Sequence, residues 1–211
     1  MEPNQAAEHL QTIRTLMERS AVYRRALAPI MIYCGGVGLA GGVVGDWLPL
    51  HLARGFVLFW AVVAVTGLTG SFLLVRRQAL KDSEPFWSPP TRRVARALIP
   101  GMAVGTLAGL LLAWVSPAWN ECWLIVPIWC LLYGLALHAA GFFTPKGLQR
   151  FGWLFLITGG LLLVGLGGQF VNPVVAAQVF QPHWLMGGVF GGGHLAYGIY
   201  LYFTEKRGQP L

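Results

Sequence analysis

Five stretches of this sequence contain no Asp, Glu, Lys or Arg, and their lengths constrain the fold more than any other feature. A helix needs about 20 predominantly apolar residues to cross the hydrocarbon core of a bilayer. Each of the first four stretches fits one transmembrane helix, whereas the fifth fits two, separated near Asn172-Pro173 and Gln181-Pro182-His183. The stretches are Ala26–Gly45, Gly55–Val75, Ala97–Asn120, Cys122–Pro145 and Phe151–Thr204. We therefore predict an all-α polytopic membrane protein with six transmembrane helices.

The basic residues lie almost entirely on one side of the predicted membrane. Of the 15 Lys and Arg residues, only Arg54 falls on the opposite side. Because cytoplasmic connections carry the excess of Lys and Arg, both termini are predicted to be cytoplasmic, in the inner membrane of a bacterium. The same rule accounts for the net charge of +7, and the anionic headgroups of lipid are its default partner. We expect no nucleic-acid partner, since no connection is long enough to form a reading module.

The composition agrees with this class. Hydrophobic residues make up 55% of the chain and charged residues 11%, whereas about a quarter of the residues in a soluble domain are charged. The first 25 residues lack the apolar segment of a cleavable signal peptide, so the first span is expected to be an uncleaved anchor. The 3 cysteines are an odd number for a disulfide framework, and we expect them to be packing residues.

The chain is predicted to have three parts. These are an amphipathic helix, the six-helix bundle and a cytoplasmic tail, over residues 1–25, 26–205 and 206–211. Two short matches recur within the bundle. They are Arg25-Ala26-Leu27-x-Pro29-x-Met31 with Arg96-Ala97-Leu98-x-Pro100-x-Met102, and Tyr133-Gly134-Leu135-x-Leu137 with Tyr197-Gly198-Ile199-x-Leu201. They favour three tandem two-helix hairpins, an arrangement of repeats that builds some carriers. Chance matches in an apolar sequence are the alternative.

The N-terminal helix is the first candidate for a protein partner. Leu10, Ile13 and Met17 share an apolar stripe at helical spacing. Such a helix lies in the headgroup plane, or packs against a partner protein or a second copy of the chain. Trp87, in the longest cytoplasmic connection, is a further candidate contact, with an ordinary interfacial anchor as the alternative.

Glycine, histidine and tyrosine define one candidate ligand pocket. Glycine pairs at four-residue spacing, such as Gly38 with Gly42, are typical of closely packed membrane helices. The run of three glycines before His194 weakens a helix more than packing requires, which favours a pocket there. The candidate pocket residues are Tyr133, His138, Gly191, Gly192, Gly193, His194 and Tyr197.

The two histidines within the spans leave two interpretations open. A haem ligated by His138 and His194 is sterically conceivable if both point into the bundle. The alternative is a polar contact, with His194 bonding Tyr197 or a carbonyl exposed by a glycine. No Asp, Glu, Lys or Arg lies deep in a predicted span, which counts against ion-coupled transport because such groups mark ion pathways.

The outer boundary carries residue types that ligate metals. These weak candidates are Asp46, His51, Glu121 and His183, with Cys122 beside them. None has local ligand spacing, so solvated interfacial residues are the alternative. No catalytic or phosphate-binding motif is present in the sequence. We favour a protein without enzymatic activity, catalytic residues or a resident cofactor.

Four segments resemble a family of uncharacterised six-helix bacterial inner-membrane proteins, common in Bacteroidetes-like genomes. The segments are Ile13-Arg14-Thr15-Leu16-Met17-Glu18-Arg19-Ser20, Phe86-Trp87 leading to Arg92-Arg93, Tyr133-Gly134-Leu135-Ala136-Leu137, and His194-Leu195-Ala196-Tyr197-Gly198. Members are often encoded beside a small winged-helix regulator, and the resemblance implies a regulatory or sensory role by association. The chain departs from the family at Arg24-Arg25-Ala26-Leu27-Ala28-Pro29, where relatives usually carry a Ser/Gly-rich entry to the first span.

Three functions follow as hypotheses. The first is a non-enzymatic sensor or scaffold that binds a lipid or small apolar ligand and a cytoplasmic partner, with a homo-oligomer as an option. The second is a passive small-molecule carrier or channel, which requires a polar cavity at the membrane midplane. The third is a haem- or metal-binding membrane redox protein.

Overall fold

The structure, a computed structural model, describes most of the predicted bundle. The described residues are 27–48, 50, 52–81, 87, 89–114, 124–144, 147–167 and 181–206. The predicted amphipathic helix, with Leu10, Ile13 and Met17, lies outside them. Within the described ranges the chain is helical and forms no strand, as the sequence predicts.

The described residues form six helices, numbered here in chain order. They are α1 (Leu27–Trp47), α2 (Ala53–Lys81), α3 (Pro89–Trp114), α4 (Ile125–Ala140), α5 (Gly147–Gly167) and α6, which joins the segments Pro182–Met186, Gly187–Gly192 and Gly193–Lys206. A 3-10 turn, Gly141–Phe143, extends α4. Five helices, α1 to α5, are long and apolar enough to cross a membrane. The chain is therefore a helical multi-pass membrane protein.

The sixth helix differs from the others in its middle segment. Gly187–Gly192 is π-helical, and it lies between the α-helical segments Pro182–Met186 and Gly193–Lys206. A π-helical turn places its backbone hydrogen bonds between residues five apart, and such turns are frequent at functional sites. The glycine run is visible in the sequence, but the π-helical geometry is not predicted from it.

Several helices extend beyond the uncharged stretches. Helix α2 continues through Arg76 and Arg77 to Lys81, and α3 begins at Pro89, ahead of Arg92. The hydrogen bonds of a helix are satisfied within the helix itself, so a helix does not have to end where the apolar residues end. The charged residues mark the limits of the apolar part of each helix and not the helix ends.

Each odd-numbered helix packs between two even-numbered ones. Helix α1 contacts α2 and α6, α3 contacts α2 and α4, and α5 contacts α4 and α6. The three even-numbered helices also meet one another through side chains. Those contacts are Phe56 with Trp129, Trp60 with His183, and Tyr133 with His194. Aromatic rings therefore occupy the centre, where α2, α4 and α6 converge.

Helices α1 and α6 approach each other backbone to backbone. A Cβ atom added to Gly38 would lie 2.8 Å from the Cα of Gly191, and one added to Gly42 would lie 3.0 Å from the Cα of Gly187. Residue numbers rise along α1 as they fall along α6, so the two helices are antiparallel. Small residues at four-residue spacing allow this approach and the dispersion contacts that come with it.

The two Tyr-Gly matches make corresponding contacts. A Cβ atom on Gly134 of α4 would lie 2.9 Å from the amide nitrogen of Leu156 in α5, and one on Gly198 of α6 would lie 2.7 Å from the amide nitrogen of Ile32 in α1. In each case the glycine packs against the backbone of the first helix of another predicted hairpin. That helix is α5 for Gly134 and α1 for Gly198. The short sequence match thus has a counterpart in helix packing.

Arg54, the basic residue predicted on the outer side, contacts the end of a neighbouring helix. Its Nε atom donates a hydrogen bond of 3.2 Å to the carbonyl oxygen of Ala113 in the last turn of α3. Its guanidinium lies 5.8 Å from the centre of the Trp114 ring. A cation near the C-terminus of a helix is stabilised by the helix dipole, so this charge has a local structural partner.

Candidate functional site

His194 lies at the junction of α4, α5 and α6, in a shell of aromatic rings. The side chain is only 5% exposed. The ring centres of Phe151 and Phe155, both from α5, lie 5.1 and 5.6 Å from the imidazole centre. Tyr133 from α4 contacts the same imidazole and the ring of Phe190. A polar side chain is thus enclosed by rings from three helices.

Both ring nitrogens of His194 are hydrogen-bonded within the chain. Nδ1 lies 2.6 Å from the carbonyl oxygen of Phe190, and Nε2 lies 2.7 Å from the hydroxyl oxygen of Tyr133. A carbonyl oxygen can only accept, so Nδ1 carries the hydrogen and donates. In the neutral imidazole Nε2 then accepts from the hydroxyl of Tyr133. We infer this tautomer from the hydrogen bonds.

The π-helical segment and the histidine are directly connected. In a regular α-helix the carbonyl of Phe190 accepts from the backbone amide four residues later, which belongs to His194. Here the side chain of His194 reaches that same carbonyl. The buried imidazole therefore bonds directly to a carbonyl of the π-helical segment.

The predicted tyrosine partner of His194 was the wrong one. Tyr197 does not provide the hydroxyl near Nε2; it stacks on Phe151, with ring centres 4.5 Å apart and planes 12° from parallel. Tyr133, which is 61 residues from His194 in the sequence, provides the hydroxyl. The predicted contact of His194 with a carbonyl in the glycine-rich segment is present.

The three glycines before His194 have different surroundings. A Cβ atom on Gly191 would meet the backbone of Gly38 and Leu39 in α1, so this glycine is needed for helix packing. A Cβ atom on Gly193 would lie 3.6 Å from the ring of Phe155, an ordinary contact distance. A Cβ atom on Gly192 would meet nothing within 4 Å. Only Gly193 lies against the aromatic shell of His194.

His138 lies apart from the aromatic shell of His194. Its ring makes edge contacts with Phe142 and Trp153, at centre distances of 5.4 and 5.6 Å. Phe142 and Trp153 are 70% and 53% exposed, which places this histidine at the surface between α4 and α5. No ring contact is shared between His138 and His194 among the described residues. The haem hypothesis needs both imidazoles to point at one iron, and the described contacts give no sign of that arrangement.

A third histidine, His183, is buried at the other end of α6. Its Nδ1 accepts a hydrogen bond of 3.2 Å from the indole nitrogen of Trp60, and the rings of Phe56 and Phe59 lie beside it. A Cβ atom on Gly45 would overlap the imidazole, so α1 also packs against it. His183 is a metal-ligand candidate in the sequence, but its contact with Trp60 is not predicted there, because residues 123 positions apart carry no shared local pattern.

The predicted metal candidates are only partly within the described residues. Asp46 and His183 are described, whereas His51, Glu121 and Cys122 are not. Among the described side chains, no group of three or more His, Cys, Asp or Glu residues is close enough to hold a metal ion. Trp87 is 56% exposed, as an interfacial or partner-binding residue would be.

Comparison with known proteins adds no assignment. No protein-family model matches the sequence, and neither curated proteins nor solved structures give a significant match. Function is therefore inferred from the geometry of the chain itself. The resemblance to six-helix inner-membrane proteins stays a prediction.

Proposed function

We propose that the protein is a six-span, non-enzymatic module of the bacterial inner membrane, with both termini in the cytoplasm. The position of α6 supports the sixth span. Its residues from His183 to Gly198 lie antiparallel to α1 from Gly45 to Ile32. This shared length is about 20 Å at 1.5 Å per residue, so α6 covers the same depth as a helix that is itself long enough to cross.

The proposed activity is sensing of a lipid or small apolar ligand, and the observation that carries it is the hydrogen-bonded pair of Tyr133 and His194 beside the π-helical turn. All hydrogen-bonding atoms of the imidazole are satisfied by the chain itself, which leaves no free base or ligand atom for catalysis at this position. Conversion of the π-helical turn to regular α-helix would shift the register by one residue and rotate the rest of α6 by about 100°. We propose that the segment converts between these two arrangements and that ligand binding biases the conversion.

The aromatic centre argues against the carrier hypothesis. Phe56, Trp60 and Trp129 fill the convergence of α2, α4 and α6 towards one end of the bundle, and Tyr133 and Phe155 fill it near His194. A passive carrier needs a polar path at this depth. The corresponding contacts of Gly134 and Gly198 do support the three-hairpin arrangement, but a repeated architecture can serve functions other than transport.

The partner role is tested by removing the amphipathic segment. The full chain and a variant lacking residues 1–24 are compared by in-cell crosslinking and affinity recovery. We expect the shortened chain to insert normally and to lose its crosslinked cytoplasmic partner. Unchanged recovery would exclude the partner role.

The sensing role is tested by hydrogen exchange of the full chain in detergent, with and without added membrane lipid. We expect the amides of Gly187–Gly192 to change their exchange rate on ligand binding, because the hydrogen bonds of a π-helical turn differ from those of an α-helix. Amides near the middle of α3, which carries neither residue of the pair, serve as the internal control. Identical exchange in every lipid tested would contradict a sensing role for this segment.

A further inference from the structure

The surface between α4 and α5 carries an aromatic and basic group of residues that the fold does not use internally. Helix α4 contributes His138 and Phe142, and helix α5 contributes Arg150 and Trp153. His138 contacts both aromatic rings. Residues three apart on a helix share a face, so Arg150 lies on the same side of α5 as Trp153.

The hydrogen-bonding state of His138 makes this group more than an apolar surface. Its Nδ1 atom is buried and has no hydrogen-bond partner among the described residues. A neutral imidazole carries one N–H group, and a buried N–H without an acceptor is costly. The favoured tautomer therefore carries its hydrogen on Nε2, in the half-buried part of the ring. The Nε2–H group of His138 is then a hydrogen-bond donor at this surface, and it has no acceptor among the described residues.

Close packing of the two helices brings His138, which also contacts Phe142, to Trp153, and Arg150 lies three residues before Trp153 on α5. A Cβ atom on Gly152 would lie 2.7 Å from the amide nitrogen of His138, and one on Gly141 would lie 2.8 Å from the amide nitrogen of Gln149. The glycines let α4 and α5 approach until the imidazole meets Trp153. His138, Arg150 and Trp153 thus lie on the two packed helices, and Phe142 lies in the 3-10 turn that extends α4.

We propose that His138, Phe142, Arg150 and Trp153 bind the headgroup of an anionic phospholipid in the inner leaflet; this inference rests on the orientation in the proposed function and specifies its ligand. The exposed guanidinium of Arg150 is complementary to the phosphodiester. The Nε2–H group of His138 donates to a phosphate or glycerol-ester oxygen. Phe142 and Trp153 contact the glycerol region and the upper acyl chains, at the depth where indole rings are enriched.

Native mass spectrometry of the delipidated full chain tests this proposal. The protein is titrated with dioleoylphosphatidylglycerol and, separately, with dioleoylphosphatidylcholine. We expect the first phosphatidylglycerol to bind more tightly than any phosphatidylcholine, and Arg150→Gln to weaken it about fivefold, as expected for one basic residue near anionic lipid. Trp153→Leu should also weaken it. The matched controls are Arg77→Gln, which removes another exposed basic residue of the cytoplasmic side, and Trp184→Leu, which removes an exposed indole at the other end of the bundle.

The outcomes separate this site from general attraction and from the orientation it rests on. Equal loss in Arg150→Gln and Arg77→Gln would overturn the proposal, because any basic residue would then act alike. Equal binding of the two lipids would overturn it as well. So would an Arg150→Gln variant that bound lipid normally and lost only the crosslinked cytoplasmic partner. Circular dichroism of each variant checks folding. His138→Phe keeps an aromatic ring of similar size but removes the Nε2–H donor, so it should weaken phosphatidylglycerol binding. If a cysteine placed at residues 144–147 were labelled from outside the cell, the proposed orientation would be wrong. If that cysteine were labelled only from inside and lipid binding were unselective, only this site would be contradicted.

Discussion

Tyr133 and His194 are joined by a hydrogen bond of 2.7 Å that connects α4 to α6 in the interior of the bundle. The second imidazole nitrogen is bound to the carbonyl of Phe190 in the π-helical turn. One imidazole therefore bridges the tyrosine hydroxyl of α4 and the backbone of α6. This relationship provides the most direct test of the site.

Tyr133→Phe should reduce the free energy of unfolding by about 1 kcal/mol, because Nε2 of His194 loses its donor inside the bundle. Unfolding in mixed micelles with increasing sodium dodecyl sulfate measures the change. Tyr200→Phe is the matched control, since that ring is on α6 and is 58% exposed. Equal effects of the two substitutions would contradict the importance of the hydrogen bond.

Gly191→Ala and Gly192→Ala should have opposite effects although the residues are adjacent in the π-helical turn. The added methyl group at position 191 meets the backbone of α1, and such overpacking costs about 1–3 kcal/mol. The methyl group at position 192 meets nothing within 4 Å, and alanine favours a helix over glycine by up to about 1 kcal/mol. Thermal unfolding in detergent compares the two, and similar destabilisation would contradict the packing of α1 on α6.

Purified protein should show no Soret band, and titration with haem should not produce one. Ligation of iron by His194 would break its hydrogen bond with Tyr133, since Nδ1 already donates to Phe190. Absorption spectroscopy makes this measurement, with a bis-histidine haem protein in the same detergent as a positive control. A Soret band in the wild type that His194→Ala abolishes would revive the haem hypothesis.

Single cysteines should report six crossings with both termini inside. In a background of Cys34→Ala, Cys122→Ser and Cys130→Ala, a membrane-impermeant maleimide should label intact cells carrying Leu52→Cys or Gln181→Cys. It should label Trp87→Cys or Lys206→Cys only after the cells are permeabilised. Labelling of Lys206→Cys in intact cells would mean either an odd number of crossings or an inverted bundle, and both would overturn the orientation.

The sequence predicted the candidate site residues individually but not their grouping. Tyr133, His138, His194 and Tyr197 were all selected, yet only Tyr133 and His194 form a hydrogen-bonded pair. Tyr197 packs on Phe151, and His138 lies beside Trp153 on another surface. Helical spacing identifies the face on which a residue lies, but it contains no information about which helix covers that face. The same limit explains why Trp60 was not connected to His183.

The sequence alone determined the membrane class and the helical state. A bilayer core is about 30 Å thick and offers no hydrogen-bond partners for a peptide group, so long uncharged stretches have to become helices that cross it. Only the tertiary structure decided the close approach of α1 to α6, the π-helical turn and the two different environments of His138 and His194. The reason is that lipid is as apolar as the helix surfaces, so helix pairing depends on local fit between small residues and rings. That fit becomes visible only when residues distant in the chain are brought together.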